Sequence, residues 1–404
     1  MHAFGFDVRL RAPERLISLE DYQRAARRVL PRMVSSFVDG GAEGLRTVAA
    51  NRAAFDDWQL VPRLLVGHDT PRLGVTVAGT PLALPVLLAP TGFTGLSRWS
   101  GDRDAVRAAE RCGTRYCVST AASWTLEEIA EAGTTDHVFQ LYPTGTAGLS
   151  AELLRRARNA GYRTLMVTAD VPVMGNREGE RREGMGIPPV LTPRRLLDVA
   201  RHPRWAAAVV RHRRVGGRNM VDEGGVAAAV RAAELQERAV MQAELSWDDL
   251  AWMRDGWPGR MYLKGVLRAE DASRAVDLGC DGVVVSNHGG RQLDGAPPSL
   301  AVLPEVVGEV GDRAEVLFDG GIRRGSDVVT ALALGADAVL IGRPYVHGLA
   351  VAGQRGVEHV LEILREEITR TLVLLGVAGV ADLDRSHLRP ATGGHASTDR
   401  VPAY

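Results

Sequence analysis

From residue 85 onward, short apolar runs alternate with stretches of helical period. The runs are PVLLAP (Pro85–Pro90), YCVST (Tyr116–Thr120), HVFQLY (His137–Tyr142), TLMVTAD (Thr164–Asp170), RMYLKGV (Arg260–Val266), GVVVSNH (Gly282–His288), AEVLFDG (Ala314–Gly320) and ADAVLIGR (Ala336–Arg343). Runs of this length, rich in β-branched residues, predict strands. Between them lie RDAVRAAERCG, TLEEIAEAG, SAELLRRARNAG, AEDASRAVDLG and SDVVTALALGA, which predict helices; several end in Gly, as a helix C-terminus prefers. Near-continuous apolar strands alternating with helices imply a parallel sheet. Eight such units predict a closed α/β structure, a (β/α)8 barrel of the TIM type.

Three stretches depart from the repeat. Residues 1–80 precede the barrel and hold an amphipathic helix, SLEDYQRAARRVL, and a Gly-rich segment, DGGAEG. Between Asp170 and Arg260 lie nearly ninety residues, where a βαβ step needs about thirty. We therefore read residues 81–390 as the barrel, with a long insertion at 171–245 after the fourth strand, and residues 391–404 as a loose tail. The uncharged run Leu73–Ser97 is long enough to span a bilayer. Its prolines at 81, 85 and 90 would break a helix repeatedly, so it reads as short strands and turns.

Composition narrows the classes. The 49 basic and 49 acidic residues cancel, so nothing global points to nucleic acid. Three cysteines, Cys112, Cys117 and Cys280, are too few and too scattered for a disulfide framework or a zinc site, and no metal site is expected. The N-terminus has no apolar signal core, and a cytoplasmic chain is therefore the expectation. One lysine occurs in the whole chain, Lys264, against 48 arginines. Within the insertion, Arg194 to Arg218 carries eight arginines, one acid and Trp205. That segment fits a membrane surface, on the inner face of the cytoplasmic membrane, and equally a solvated basic loop.

Such barrels build their sites at the C-terminal ends of the strands. Here those ends are polar: Pro90-Thr91-Gly92, Ser119-Thr120, Gln140 and Tyr142, Thr168 and Asp170, Lys264, Ser286 to His288, Asp319-Gly320-Gly321, and Gly342-Arg343. Solvent alone explains one or two polar ends. It explains poorly why the only lysine and a histidine share one mouth. After the last two strands, DGGIRRGSD and GRP combine glycines, helix starts and arginines, which suits a phosphate group.

The stretch SNHGGRQLDG (Ser286–Gly295), with LKGV, FDGGIRRGSDV, ALALGA and IGRP in that order, resembles the FMN-dependent 2-hydroxy-acid oxidase and dehydrogenase family. The resemblance covers roughly residues 15–390, and VSTAASWTLEEIA, HPRW and WDDLAWMRDGWPG are most similar to its mandelate and membrane-associated lactate dehydrogenases. It implies that His288 is the catalytic base, held by Asp170. It implies that Arg291 and Arg177 bind the substrate carboxylate, with Tyr142 on the substrate hydroxyl or carboxylate. Lys264 would lie against the flavin and stabilise negative charge on it. The other implied FMN contacts are Pro90, Thr91, Gly92, Ser119, Gln140, Thr168 and Ser286, with Asp319 and Gly320 at the ribityl chain and Gly321, Arg323, Gly342 and Arg343 at the phosphate.

Two positions depart from the family pattern. Phe37 stands where a tyrosine helps hold the substrate carboxylate, and Ala121 where glycolate oxidases carry a tryptophan. Both point to a substrate with a bulky or aromatic side chain, mandelate-like; they count against glycolate and weaken lactate, which stays a candidate. The resemblance further implies a homotetramer and an electron acceptor that is oxygen, a quinone or a cytochrome; no fused haem domain is expected. Two other readings stay open: flavin-dependent oxidation of a biosynthetic or peptide-derived intermediate, and a flavin-free phosphate-binding lyase or isomerase.

Overall fold

The computed structural model describes residues 16–391 apart from 67–69, 134–135, 145–146, 222–223 and 242–244. The loose tail expected at 391–404 lies outside the described residues, Ala391 excepted. All eight expected strands form: β1 Val86–Leu88, β2 Cys117–Ser119, β3 Val138–Leu141, β4 Thr164–Thr168, β5 Arg260–Val266, β6 Gly282–Val285, β7 Glu315–Asp319 and β8 Ala338–Ile341. They pair in parallel in the order β1-β8-β7-β6-β5-β4-β3-β2. A parallel bridge between Leu88 and Tyr116 joins the two edges and closes the barrel.

Period-two alternation explains why these strands read as unbroken apolar runs. Leu87, Cys117, Met166, Tyr262, Val284, Leu317 and Leu340 fill the barrel interior. Their neighbours Val86, Leu88, Val118, Leu165, Leu263, Val283, Phe318 and Val339 pack outward under the helices. Both faces are dry, so both are apolar. The hairpin pairing Val75–Val77 with Thr80–Leu82 adds Val77 and Leu82 to the interior cluster. Nearby, the fully buried Arg115 donates to the Val77 carbonyl, the Asp136 carboxylate and the Thr164 hydroxyl. This end is sealed, which leaves the opposite mouth for chemistry.

The two added segments fold onto that mouth. The expected first helix runs Leu19–Val29, capped by Ser18 and burying Leu19, Tyr22 and Ala26 at helical spacing. Helices Arg32–Asp39 and Arg46–Ala53 follow. Reciprocal amide hydrogen bonds between Asn51 and Asn287, 2.7 and 2.8 Å, clip the third helix to the loop after β6. Helices Glu178–Arg182, Pro193–Ala200, Pro203–His212 and Val226–Met241 lie in the insertion, and Trp247–Gly256 follows it before β5. The insertion docks through Arg214 on Glu128 (2.6 and 2.7 Å) and His212 stacked on Trp99 at 3.8 Å. Trp205, expected at a membrane surface, instead turns inward. Its indole N–H donates to the Leu96 carbonyl at 2.6 Å, and its ring packs on Leu30, Met33 and Val34. Burying the ring while satisfying its one donor outweighs leaving it in water. The apolar side chains the insertion exposes are others, among them Leu191, Leu196, Leu197 and Val210.

Candidate active site

His288 follows β6 in a left-handed conformation, φ 59°, which is uncommon for any residue but glycine. Its backbone N–H donates to Ser286 Oγ at 3.0 Å. Nδ1 lies 2.9 Å from Asp170 Oδ1, just beyond β4. Burial pushes the Asp170 carboxyl up, but His288 and then Lys264 outweigh it and hold its pKa below the usual value. An ionised carboxylate only accepts, so Nδ1 is the nitrogen that donates to Asp170, and Nε2 is the one turned to Tyr142. Nε2 lies 3.2 Å from the Tyr142 hydroxyl, whose pKa burial, then Asp170, pushes up to about 12. The phenol therefore keeps its proton and can donate. An imidazole, an oriented carboxylate and a hydroxyl donor thus stand in line.

Lys264 lies near the C-terminal end of β5, buried at 4% exposure. Its Nζ lies 2.7 Å from Ser286 Oγ and 2.9 Å from Asp319 Oδ2. Burial opposes the charge, yet the Asp319 carboxylate and then Asp170 outweigh it and raise the lysine's pKa. The ammonium is thus a fixed positive charge at the barrel axis.

Arg291, three residues past His288, is held on three sides. Nη1 donates to the carbonyls of Phe37 (2.8 Å) and Gly40 (3.0 Å), and Nη2 lies 3.0 Å from Glu180 Oε1. Its guanidinium stacks over the Phe37 ring at 5.2 Å. Arg177 comes from the start of the insertion, with Nη1 3.9 Å from Glu180 Oε2. Burial, then Arg291, pushes its pKa down to about 10, so it is still charged at neutral pH. Phe37 belongs to helix Arg32–Asp39 and meets Phe93 edge-on at 6.2 Å. The structure thus gathers residues from the extension, the insertion and the barrel around His288. Glu180 was not singled out in the sequence. It sits in a run of charges, NREGERREG, where nothing distinguishes a buried acid from its solvated neighbours.

The expected FMN contacts leave part of their hydrogen bonding unfilled by the protein. Ser119 Oγ donates to Gln140 Oε1 at 3.1 Å. Four atoms of this set, Gln140 Nε2, Thr168 Oγ1, Asp319 Oδ1 and Arg343 Nε, are buried with no protein hydrogen-bond partner. Buried polar atoms are normally bonded. These supply donors and acceptors that match the edge of a polar ring and a polyol. Past β7, Gly320 and Gly321 have φ of 114° and 87°, and an added Cβ on Gly321 would lie 2.1 Å from the Asn51 carbonyl oxygen. Helix Arg343–Ala352 starts directly after β8, with Gly342 as its N-cap. That helix start, with Arg343 and Arg323, is suited to a phosphate. Burial pushes the pKa of Arg343 down to about 9 and of Arg323 to about 10. Pro90, Thr91 and Gly92 follow β1 at the same mouth; an added Cβ on Gly92 would meet Ala121 at 2.8 Å. The residues present fit FMN.

A closed parallel barrel with a base–carboxylate pair, arginine forks and a phosphate end at one mouth defines a cofactor-dependent enzyme of small acids. Comparison with known proteins gives the particular family. The model for the FMN-dependent dehydrogenases matches residues 26–390. An L-lactate oxidase of Nostoc sp. is 41% identical over 376 residues, 92% of this chain and 98% of its own. The (S)-mandelate dehydrogenase of Pseudomonas putida is 38% identical, covering 93% of this chain and 94% of its own. A crystal structure of the monotopic membrane protein (S)-mandelate dehydrogenase matches with a TM-score of 0.87 at 37% identity, over 93% of this chain and all of that one. The chain belongs to the FMN-dependent dehydrogenase family: it is an oxidoreductase, and its cofactor is FMN. Among the described residues no helix is long and apolar enough to cross a membrane.

Proposed function

We propose that this enzyme oxidises an (S)-2-hydroxy acid with a bulky or aromatic side chain to the 2-oxo acid. The observation that carries the reading is the line Tyr142–His288–Asp170 beside the Arg291 fork. When bound, FMN would take up the two electrons and one of the two hydrogens that the substrate gives up. His288 Nε2 takes the proton that leaves the substrate, and Asp170 stabilises the imidazolium that results. Arg291 and Arg177 bind the carboxylate, and Tyr142 donates to the substrate hydroxyl or carboxylate. Lys264 supplies positive charge where the cofactor's negative charge develops. Pro90, Thr91, Gly92, Ser119, Gln140, Thr168, Ser286, Asp319 and Gly320 would hold the ring and ribityl chain, with Gly321, Arg323, Gly342 and Arg343 at the phosphate. Relatives named for L-lactate and (S)-mandelate support this class of substrate. Phe37, which has no hydroxyl to give the carboxylate, and the small Ala121 support the bulky side chain.

The electron acceptor is a quinone, a cytochrome or oxygen, and the assembly is a homotetramer. The enzyme lies peripherally on the inner face of the cytoplasmic membrane, through the exposed leucines and arginines of helix Pro193–Ala200. The test is anaerobic flavin bleaching across mandelate, long-chain 2-hydroxy acids, lactate and glycolate, followed by reoxidation with air or quinone. Mandelate-like or long-chain acids should lead in kcat/KM. Bleaching by none of them overturns the function; a preference for glycolate overturns the bulky side chain.

A further inference from the structure

We infer that Glu180 is the positioning residue of the carboxylate-binding site: its buried carboxylate holds the two arginine forks in register for one substrate carboxylate. The inference rests on the substrate-binding role proposed above for Arg291 and Arg177.

Glu180 is 4% exposed. One oxygen lies 3.0 Å from Arg291 Nη2, the other 3.9 Å from Arg177 Nη1. It also reaches the extension, since an added Cβ on Gly40 would lie 3.2 Å from Glu180 Oε1. One side chain therefore touches the insertion, the loop after β6 and the N-terminal segment, which are far apart in sequence.

Charge explains why an acid belongs there. Arg177, Arg291 and Arg343 share one buried region, and the Arg291 guanidinium helps to lower the pKa of the other two. Like charges this close repel strongly where water is scarce. The two forks differ in support. Arg291 is also fixed by the Phe37 and Gly40 carbonyls. Arg177 makes its ion pair with Glu180, and its buried Nε has no protein hydrogen-bond partner, so that donor is free for a ligand. Removing the carboxylate leaves Arg291 roughly in place and gives Arg177 a reason to swing away from it. The second half of the fork is then lost, although neither arginine has changed.

The opposite role is also definable. Glu180 could occupy the space a substrate carboxylate needs and compete with it. The two roles predict opposite signs.

The test measures binding of phenylacetate, which has the carboxylate but no hydroxyl to oxidise, by calorimetry on the FMN-loaded enzyme. Phenylacetamide is the uncharged control. Glu180→Gln should weaken phenylacetate by about tenfold or more and leave phenylacetamide within about twofold. Glu180→Asp, which keeps the charge on a shorter arm, should recover part of the loss. In an Arg177→Met background, Glu180→Gln should add little, because the fork it positions is already gone. A general loosening of the fold would instead weaken both ligands and add to Arg177→Met. Tighter phenylacetate binding in Glu180→Gln, or unchanged binding, overturns the positioning role. A wild-type enzyme that binds phenylacetate no better than phenylacetamide overturns the arginine fork itself, a separate failure.

Discussion

Two residues carry most of what the site asks of single side chains. Lys264 is the only lysine in the chain, and it stands buried between Ser286 and Asp319. An arginine's planar fork would not fit the same compact contact. Lys264→Met should leave a folded protein whose flavin is reduced about 10²–10³-fold more slowly. Stopped-flow absorbance on the FMN-loaded variant measures this, and an unchanged rate removes the role. Phe37 bears on specificity. Its ring lies against the Arg291 guanidinium, so a hydroxyl added there would enter the carboxylate's surroundings. Phe37→Tyr should improve glycolate and lactate by about 1.5 kcal/mol or more, the worth of a hydrogen bond to a charged group. It should leave mandelate nearly unchanged. A ranking of kcat/KM that does not move shows that Phe37 does not line the pocket. Lys264 was legible in the sequence because a lone residue of its type stood near the C-terminal end of a strand. Glu180 was not, because burial among neighbouring charges is decided by tertiary contacts with Arg291 and Gly40.

The strands were the most legible elements, since burial on both faces leaves a continuous apolar run. The β5 strand hides one irregularity. Its pairing with β6 shifts between Lys264 and Val266, and Gly265 between them has φ 106°. A Cβ there would come within 2.5 Å of the Asp170 Cβ. The bulge lets Asp170 sit close enough to hold His288. Gly265→Ala should therefore push Asp170 off the imidazole and cut flavin reduction by about 10²-fold, with about 1–3 kcal/mol of backbone strain. Rate and thermal midpoint measured together check this; a normal rate in the folded variant means that Asp170 does not need its place. The insertion was legible only as an extra length. Its arginines and Trp205 suggested a surface, but the pattern cannot say which way an aromatic ring turns. The Leu96 carbonyl and the Leu30–Val34 patch that receive Trp205 lie more than a hundred residues away.

For the whole molecule, the added segments complete the site rather than decorate it. The extension brings Phe37 and Gly40, and the insertion brings Arg177 and Glu180. The membrane reading also belongs to this scale, because it needs an exposed face on a correctly docked insertion. Leu196 and Leu197 are 52% and 54% exposed, so changing both to Glu leaves the core alone. That double variant should lose cosedimentation with phosphatidylglycerol vesicles while keeping its reduction rate. Equal binding by both proteins removes the membrane contact. The central claim concerns His288, and single-turnover reduction under anaerobic conditions tests it most directly. The FMN-loaded wild type and His288→Gln are each mixed with saturating mandelate, and the loss of flavin colour is followed. The account predicts a rate about 10²–10⁴-fold lower in the variant, with phenylacetate binding retained. A variant that bleaches at nearly the wild-type rate would contradict it.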